Sequence, residues 1–367
     1  MVSDDGATAV GDLEAVELRW VRLPLRRPLR SSHGTEHVRE VVLVRALGSD
    51  GAEGWGECSA LSRPTYTHEH TAGAFAVLRD ELVPAALAGT EAPRTHPMAS
   101  AAMECARVDL YLRRSGRSLA EALGGTRTAL PWTAVLGRAD RLGDLLEAVG
   151  EAVEAGAAMV KLKVEPGWDS SPLSAVRHAL PDLALAADAN GAYGEDPSRL
   201  VLLDDLGLAY LEQPLPADEV RASATAAAEL RTPVALDEGA PSPGLLDAAL
   251  ALRAGSIVNV KPARVGGLAR ASACAATAIE WNARCFVGGM LETGVGRAAA
   301  LAVASSDAFT LPTDLGPSDR YFDDDLTEPV VLDERGRLPV PRGPGLGVTP
   351  RADRLAAVTV RREVLRR

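Results

Sequence analysis

The sequence predicts an α/β protein in which a parallel β/α barrel follows a separate α+β domain. Eight short apolar runs recur between residues 132 and 314, and each one ends in polar or turn-forming residues. Their ends are spaced by about 25 residues, which accommodates a strand, a turn, a helix and a second turn. Eight such units are typical of a closed barrel. A doubly wound open sheet is the alternative, and the regular eightfold period favours closure.

The predicted barrel strands have nearly continuous apolar sequences, as expected where helices cover a parallel sheet. They are WTAVLG at 132, MVKLK at 159, LALAADAN at 183, LAYLEQP at 208, PVALDEG at 233, SIVNVKP at 256, RCFVGGM at 284 and FTLPTD at 309. Helix signals stand between them. Asp196 and Pro197 open one helical segment, and DEVRASATAAAELR and GLARASACAATAIEW are rich in alanine.

The chain before the barrel has a different pattern. LEAVELRWVRLPLRRPL and REVVLVRALGSDGAEGWGECSA indicate strands separated by turns, and AGAFAVLRDELVPAALAG and ASAAMECARVDLYLRR indicate helices. After the barrel, EPVVLDERGRLPVPRGPGLGV indicates a hairpin-like tail that we expect to pack back on the first domain. We therefore expect an α+β domain over 1–128, a barrel over 129–320 and a tail over 321–367.

Composition limits the classes of partner. The chain of 367 residues is 47% hydrophobic, with a formal net charge of -11 and a pI near 5.2. An acidic protein is not attracted to nucleic acid or to anionic membranes, and no apolar run approaches the roughly 20 residues of a membrane span. We expect a small-molecule partner and a cytoplasmic location, and a homo-oligomer is one of the states left open. Four cysteines without CxxC spacing suggest reduced, buried thiols.

Lysine is almost absent from this chain. Of the 39 basic residues only Lys161, Lys163 and Lys261 are lysines, and all three lie in or directly after apolar strands. Arginine stays protonated in proteins, whereas a desolvated lysine can serve as an acid or a base. We interpret the three lysines as chemical groups. Codon bias that happened to spare three lysines is the alternative.

Polar side chains end five successive barrel strands, at the face where barrels carry their active sites. They are Lys163, Asp188, Glu212, Asp237 and Lys261. The two lysines stand four strands apart, so they should face each other, with the three carboxylates on the arc between them. Converging carboxylates repel one another unless a hard cation such as Mg²⁺ or Mn²⁺ neutralises them. A single strand-end Asp could instead cap a helix, but five polar ends in register favour a metal-assisted removal of a proton next to a carboxylate.

The motifs that carry these residues resemble the enolase superfamily, in its muconate-lactonising subgroup. They are VKLK, ADAN, LEQPL, ALDEG, NVKPARVGG and GGMLETGVGRA. The resemblance covers essentially the whole chain, and it implies a (β/α)7β TIM-like barrel with an N-terminal α+β capping domain. The strand 7 histidine of the mandelate-racemase subgroup is missing from CFVGGM, and TDLGPSD lacks the DxD pattern of the dipeptide epimerases.

Within the subgroup, KPARVGG, GGMLETGVGRA and SDRYFDDDLTEP are most similar to o-succinylbenzoate synthases, including those that racemise N-succinylamino acids. The resemblance implies Lys163 and Lys261 as the acid/base pair and Mg²⁺, for which Mn²⁺ can substitute, on the three carboxylates. It also implies that Gly289, Met290 and Leu291 bind the succinyl side of the substrate. The implied reaction dehydrates a cyclohexadiene carboxylate in menaquinone synthesis. N-succinylamino acid racemisation is the alternative, and a catalytically dead barrel that only binds ligands is a hypothesis of another class.

Supporting roles are predicted for a few further residues. Lys161 is expected to support Lys163 and to hydrogen-bond the substrate carboxylate. Asn190 either hydrogen-bonds a metal ligand or belongs only to its turn, and Arg264 either lowers the pKa of Lys261 or forms a surface salt bridge. His33 and Tyr66 lie in loops that either close over the barrel mouth or are simply solvated.

One position departs from the closest pattern. A serine commonly follows the strand 5 Asp-Glu pair in the resembling proteins, whereas this chain has Gly239. The departure bears on substrate detail rather than on the metal ligands.

Overall fold

The computed structural model describes residues 13–31, 34–92 and 95–367. The strands are β1 Leu13–Ser31, β2 Gly34–Gly48, β3 Glu53–Cys58, β4 Ala129–Leu130, β5 Thr133–Leu136, β6 Met159–Lys163, β7 Leu185–Asp188, β8 Leu211–Glu212, β9 Val234–Leu236, β10 Ile257–Val260, β11 Arg284–Val287, β12 Leu338–Pro339 and β13 Thr359–Arg366. The α-helices are α1 Thr71–Val77, α2 Val83–Ala88, α3 Pro97–Ser115, α4 Leu119–Ala122, α5 Leu142–Glu154, α6 Ser170–Ala179, α7 Val201–Asp204, α8 Val220–Glu229, α9 Pro243–Ala251, α10 Pro262–Val265, α11 Leu268–Glu280, α12 Gly294–Ala304 and α13 Ala352–Val358. A π-helical turn, Leu78–Leu82, joins α1 to α2, and 3-10 turns cover Pro197–Leu200 and Ser318–Arg320.

The N-terminal region forms an antiparallel sheet in the order β13-β1-β2-β3. Helix α3 packs closely on β3 because the strand carries Gly54 and Gly56. A Cβ atom at Gly56 would lie 2.0 Å from the carbonyl oxygen of Ala102, so only glycine allows this approach. The close packing fixes the end of β3, where Glu57 lies, against the rest of the molecule.

Seven parallel strands form the second sheet, in the unbroken order β11-β10-β9-β8-β7-β6-β5. Sequential strands are neighbours throughout, as expected when each strand is followed by a helix that crosses back over the sheet. The order places β6 and β10 four strands apart. The predicted barrel architecture is confirmed, with the helices between the strands.

The eighth predicted strand, FTLPTD, is not a regular strand. Pro312 lies in its middle, has no N–H to donate and interrupts a ladder of hydrogen bonds. The segment nevertheless bonds to both edges of the sheet. The backbone N–H of Thr133 donates to the carbonyl of Thr313 at 2.7 Å, and that of Asp314 donates to Val287 at 3.0 Å. These contacts close the barrel between β11 and β5.

The C-terminal segment returns to both parts of the molecule. Strand β12 pairs with β4, and β13 pairs antiparallel with β1, with Ala15 opposite Arg366. All four cysteines are buried and free. Within the described ranges, no helix is long and apolar enough to cross a membrane.

Candidate active site

An apolar layer inside the barrel supports the predicted site residues. It consists of Met159, Ala186, Tyr210, Ala235, Ile257 and Phe286, all buried together. Side chains two residues apart in a strand point to the same face. The next inward positions along the strands are therefore Lys161, Asp188, Glu212, Asp237, Asn259 and Gly288. The alternation of each strand thus brings the polar residues to the carboxyl end of the barrel, above an apolar floor.

Lys163 lies at the end of β6 and reaches toward β7, because the register places it opposite Asp188. Its ammonium donates to the Asp188 carboxylate at 2.5 Å and to Oδ1 of Asn190 at 2.7 Å. The Lys163 side chain keeps 17% of its surface exposed. Burial alone would raise the pKa of Asp188, but Lys163 and Lys161 more than offset this and lower it.

Asn190 has the left-handed backbone conformation, φ 44°, directly after the end of β7. Its backbone N–H donates to the Asp188 carboxylate at 3.1 Å, and its side-chain amide donates to Glu238 at 2.9 Å. Asn190 thus contacts the candidate ligand Asp188 and the acid-base candidate Lys163. It also contacts Glu238, which is next to the candidate ligand Asp237 in the sequence. Its predicted supporting position lies at the site.

Lys261 follows β10 on the opposite side of the barrel. Its ammonium donates to Asp237 at 2.7 Å and to the Tyr66 hydroxyl at 3.0 Å, and it lies 4.6 Å from the centre of the Tyr66 ring. Burial acts to lower the pKa of Lys261, but the Asp237 carboxylate more than offsets it and raises the pKa well above its usual value. The environment thus keeps Lys261 a cation.

Arg264 is buried behind Asp237 rather than exposed in a surface salt bridge. Its guanidinium donates to the Asp237 carboxylate at 2.5 Å, to the Asp237 carbonyl and to the carbonyl of Asn259 at 2.7 Å. The arginine acts to lower the pKa of Lys261, although the net pKa is raised. Burial raises the pKa of Asp237, but Lys261 and Arg264 more than offset it and hold this pKa well below its usual range.

Lys161 lies one layer below Lys163 and is only 1% exposed. Its ammonium donates to the carboxylates of Glu212 and Asp314, the latter at 2.5 Å, and it lies over the rings of Tyr210 and Phe286. Burial acts to lower the pKa of Lys161, but the two carboxylates more than offset it and raise it well above its usual value. Lys161 is therefore a fixed internal cation.

The three predicted metal ligands are buried carboxylates on neighbouring strands, with Glu212 directly opposite Asp188. Burial, together with the nearby Asp188 and Asp237 carboxylates, raises the pKa of Glu212 to about 8 against the effect of Lys161. In the part of the chain that the structure describes, no three such side chains gather at one point, because each carboxylate faces a lysine. The three buried carboxylates on adjacent strands form an all-oxygen donor set, which fits a hard divalent cation.

Gln213 was missed by sequence reasoning, although it fixes a predicted ligand. It follows Glu212 with φ 40°, and its Oε1 accepts the backbone N–H groups of Asp237 at 3.1 Å and Gly239 at 2.9 Å. A Cβ atom at Gly239 would lie 3.3 Å from this oxygen. A serine at position 239 would therefore press on the amide that orients Asp237, which gives the departure from the resembling pattern a local consequence.

The segment that follows β11 lies partly outside the barrel mouth. Gly289 is near Leu315 and the carbonyl of Asp314, whereas the Met290 side chain is buried in the apolar cluster of the N-terminal sheet. Leu291 adopts the left-handed conformation, φ 57°. Gly288 is required for packing, since a Cβ atom there would lie 2.0 Å from Oδ1 of Asn259.

The structure locates one of the two predicted loop residues, Tyr66, at the site. Tyr66, in the segment between β3 and α1, reaches the barrel mouth and donates from its hydroxyl to Asp237 at 3.0 Å. His33 lies outside the described residues. The N-terminal region thus contributes at least one side chain to the site.

Asp314 and Asn259 were also missed, although both carried a signal. Asp314 ends the eighth apolar run, as the other site residues end theirs, and its side chain holds Lys161. Asn259 interrupts the apolar run of β10 two residues before Lys261, and its amide donates to Glu212 at 2.7 Å. Period-two alternation alone would have assigned both to the inner face.

Comparisons with known proteins agree with this architecture. Residues 15–124 match the family described as mandelate racemase / muconate lactonizing enzyme, N-terminal domain, and residues 144–354 match the family described as enolase C-terminal domain-like. The solved structure of a probable mandelate racemase from Alicyclobacillus acidocaldarius superposes with a TM-score of 0.88 at 38% identity. It covers 96% of this chain and 99% of that one.

Two relatives that are named for different activities are similar along nearly their whole length. An N-succinylamino acid racemase from an Amycolatopsis species is 44% identical, over 95% of this chain and 97% of that protein. An o-succinylbenzoate synthase from Geobacillus stearothermophilus is 38% identical, over 92% of this chain and 93% of that protein.

Proposed function

Because the chain belongs to the enolase superfamily, we propose that it is a metal-dependent o-succinylbenzoate synthase. The substrate is 2-succinyl-6-hydroxy-2,4-cyclohexadiene-1-carboxylate, and its dehydration serves menaquinone synthesis. The observation that carries the proposal is the pair Lys163 and Lys261 on strands four apart, with three buried carboxylates on the strands between them. Relatives that are named o-succinylbenzoate synthase support the choice of substrate.

Members of the superfamily generally use a divalent metal, and we propose Mg²⁺, with Mn²⁺ as a substitute. Asp188, Glu212 and Asp237 would hold it. When bound, the cation would supply positive charge to the substrate carboxylate and so favour loss of the neighbouring α-proton. The fit rests on the all-oxygen donor set and on the burial that, together with the nearby carboxylates, raises the pKa of Glu212.

Lys163 is the proposed base. Lys163 reaches the barrel mouth from the end of β6 with 17% of its side chain exposed, so its amine can approach the α-proton of a substrate bound there. It takes the α-proton from carbon, and the electron pair left behind forms the new double bond as the C–O bond to the hydroxyl breaks. Lys163 then returns the proton to the leaving hydroxide, so that one water is released and the ring becomes aromatic.

Lys261 is the proposed electrostatic partner. Its raised pKa keeps the ammonium charged on the opposite face, where it stabilises the negative charge that develops as the α-proton leaves. Lys161 is a second fixed cation, held by Glu212 and Asp314 below the reacting layer. The Tyr66 hydroxyl limits access of water to Lys261 and Asp237 from the N-terminal side.

N-succinylamino acid racemisation is the second candidate. It is favoured by two lysines on opposite faces of one site, which suits removal of a proton from one face and delivery to the other. Relatives with this printed activity support it as well.

The test measures both reactions on one preparation of the full chain, with Mg²⁺, after exhaustive chelation, and after Mg²⁺ is restored. The proposal predicts metal-dependent dehydration at a kcat/KM above that of racemisation. Dehydration at the background rate with fast racemisation would overturn the first assignment in favour of the second. Absence of both reactions, and of metal-dependent exchange of substrate α-protons in D₂O, would favour a binding protein.

A further inference from the structure

The turn that follows β11 is held by the N-terminal sheet domain rather than by the barrel alone. Met290 is 6% exposed and belongs to the apolar cluster that also contains Val42, Ala60 and Phe75. The next residue, Leu291, has φ 57°, a conformation that a leucine seldom adopts unless its surroundings impose it. Both features place the control of this turn outside the barrel.

Arg39, on β2, forms a hydrogen bond with the backbone of this turn. Its side chain is buried, and its Nε donates to the carbonyl of Leu291 at 3.2 Å. The other end of the same guanidinium donates to the carbonyl of Ala60 at 2.9 Å and to that of Ser59. Ser59 and Ala60 begin the segment that leads to Tyr66. One planar, rigid group therefore fixes the turn and the root of the Tyr66 segment relative to each other.

Glu57, at the end of β3, holds the other side of the turn. Its carboxylate accepts the backbone N–H groups of Thr293 at 3.1 Å and Gly296 at 3.0 Å, together with the Thr293 hydroxyl. It also accepts the Ser59 hydroxyl at 3.2 Å. These partners lie at the first turn of α12, a helix of eleven residues, where a carboxylate is favoured by the unpaired N–H groups. Arg39 and Glu57 thus bracket residues 291–296.

We propose that Arg39 and Glu57 are positioning residues that set the acyl-binding side of the site and thereby select substrates with a succinyl group. The inference rests on the proposed function and on the resemblance, which implies that residues 289–291 bind the succinyl side of the substrate. A buried, fully bonded guanidinium is costly to desolvate, and an apolar side chain would serve better if packing were its only use. Its bonds instead join the turn after β11 to the segment that carries Tyr66, so the positions of these two segments are fixed relative to each other.

The test compares Arg39→Lys with Arg45→Lys, a matched control on the same strand. Arg45 pairs with Glu53 and stacks on Trp55, away from the turn. Lysine keeps the charge at position 39 but loses the fork that reaches two segments. With N-succinylphenylalanine we expect KM to rise by about tenfold or more while kcat changes by less than about threefold, as when the groups that bind a substrate are displaced but the reacting groups are not. N-acetylphenylalanine, which lacks the terminal carboxylate, should show no comparable rise in KM.

Glu57→Gln supplies a second variant because the amide keeps one acceptor oxygen for the α12 N–H groups. We expect a smaller rise in KM than for Arg39→Lys, with unfolding still cooperative. Equal losses for both substrates, carried by kcat, would assign the two residues to general folding and overturn the proposal. Unchanged kinetics in folded Arg39→Lys would overturn it as well.

Amide hydrogen exchange separates this proposal from the proposed function. If the wild type turns over neither N-acyl amino acid nor the cyclohexadiene substrate, the proposed function fails. The positioning role then still predicts faster exchange in Arg39→Lys, confined to peptides covering 288–296 and 59–66. Exchange in these peptides equal to that of the wild type and of Arg45→Lys would contradict it.

Discussion

The site has two halves, one around Lys163 and one around Lys261, and the surroundings of the two lysines differ. Lys163 pairs with Asp188 and with the neutral side chain of Asn190, and its side chain keeps some exposure to solvent. Lys261 pairs with Asp237, is covered by Tyr66 from the N-terminal domain, and has Arg264 on the far side of its counter-ion. The two halves share the same chemistry of strand-end lysine and carboxylate. Within the described ranges, the hydrogen bonds of Lys163 come from the barrel, whereas Lys261 also contacts a side chain of the N-terminal domain.

The difference separates a proton carrier from a fixed charge. Among the described residues, Lys163 forms an ion pair with Asp188 and keeps part of its side chain exposed, so a substrate can reach its amine. Lys261 keeps a dense set of partners that favours its charged form. This division suits a dehydration, in which one lysine handles the proton and the other remains a cation.

The largest effect is expected from removing the proton carrier. Lys163→Arg keeps a positive charge but cannot act as a base, so dehydration should fall by roughly a thousandfold or more. Steady-state kinetics measures the loss, and circular dichroism with thermal unfolding checks that the variant is folded. A folded variant with near wild-type turnover would instead support the alternative that codon bias left the three lysines by accident.

A second large effect is expected at Asp237, the proposed metal ligand that pairs with both Lys261 and Arg264. Asp237→Asn should weaken Mg²⁺ binding by more than about a hundredfold, beyond the usual effect of residues outside the ligand set. It also removes the counter-ion of Lys261 and Arg264. Isothermal titration calorimetry measures the affinity. Asp333→Asn is the control, because Asp333 also pairs with an arginine, Arg337, but belongs to the C-terminal segment rather than to the barrel strands. Equal affinities for wild type and Asp237→Asn would remove Asp237 from the ligand set.

A pH effect of intermediate size is expected from Glu212, which lies between the two halves. Its pKa of about 8 lies above that of an exposed glutamate, so the metal-free folded state holds a proton that a cation must displace. Mg²⁺ affinity should therefore rise by up to about tenfold per pH unit below pH 8 and level off above it. Calorimetry in two buffers of different ionisation enthalpy should find proton release near pH 7 and little near pH 9. Release that does not change with pH would contradict this assignment.

The same raised pKa affects stability without metal. Protonation of Glu212 stabilises the metal-free folded state, so this contribution to the free energy of unfolding is lost progressively as pH rises from the ordinary pKa of 4.5 to about 8. Mg²⁺ should restore stability at the higher pH. Urea unfolding with and without Mg²⁺ measures both effects, and a metal-free stability that rises between about pH 5 and pH 8 would oppose the account.

The smallest effect is expected from the cover of Lys261. Tyr66→Phe removes the hydroxyl that contacts Lys261 and Asp237 but keeps the ring, so kcat/KM should fall by no more than about tenfold. Tyr111→Phe, at an exposed tyrosine, is the matched control. A loss approaching that of Lys163→Arg would make Tyr66 a proton-transfer group and erase the proposed division between the halves.

Periodicity explains which parts of the site could be predicted. The spacing of the apolar runs located the five strand-end residues, because in a barrel the same position in each repeat reaches the same face. The irregular eighth segment was predicted as a strand because its apolar content outweighed Pro312. Arg39 and Glu57 carry no comparable signal, since their partners at 291–296 lie on another domain and depend on how two sheets pack. Asp314 and Gln213 stood beside predicted positions but needed the register of the barrel before their partners could be identified.

The most direct test of the division between the two lysines is stereospecific deuterium exchange by Lys261→Arg. The wild type and the variant are incubated with each enantiomer of an N-succinylamino acid in D₂O and Mg²⁺, and exchange is followed by NMR beside the dehydration rate. The account predicts that the variant keeps most of its dehydration activity and exchanges only the enantiomer whose α-proton faces Lys163. Dehydration reduced as severely as in Lys163→Arg, or exchange retained for both enantiomers, would contradict it.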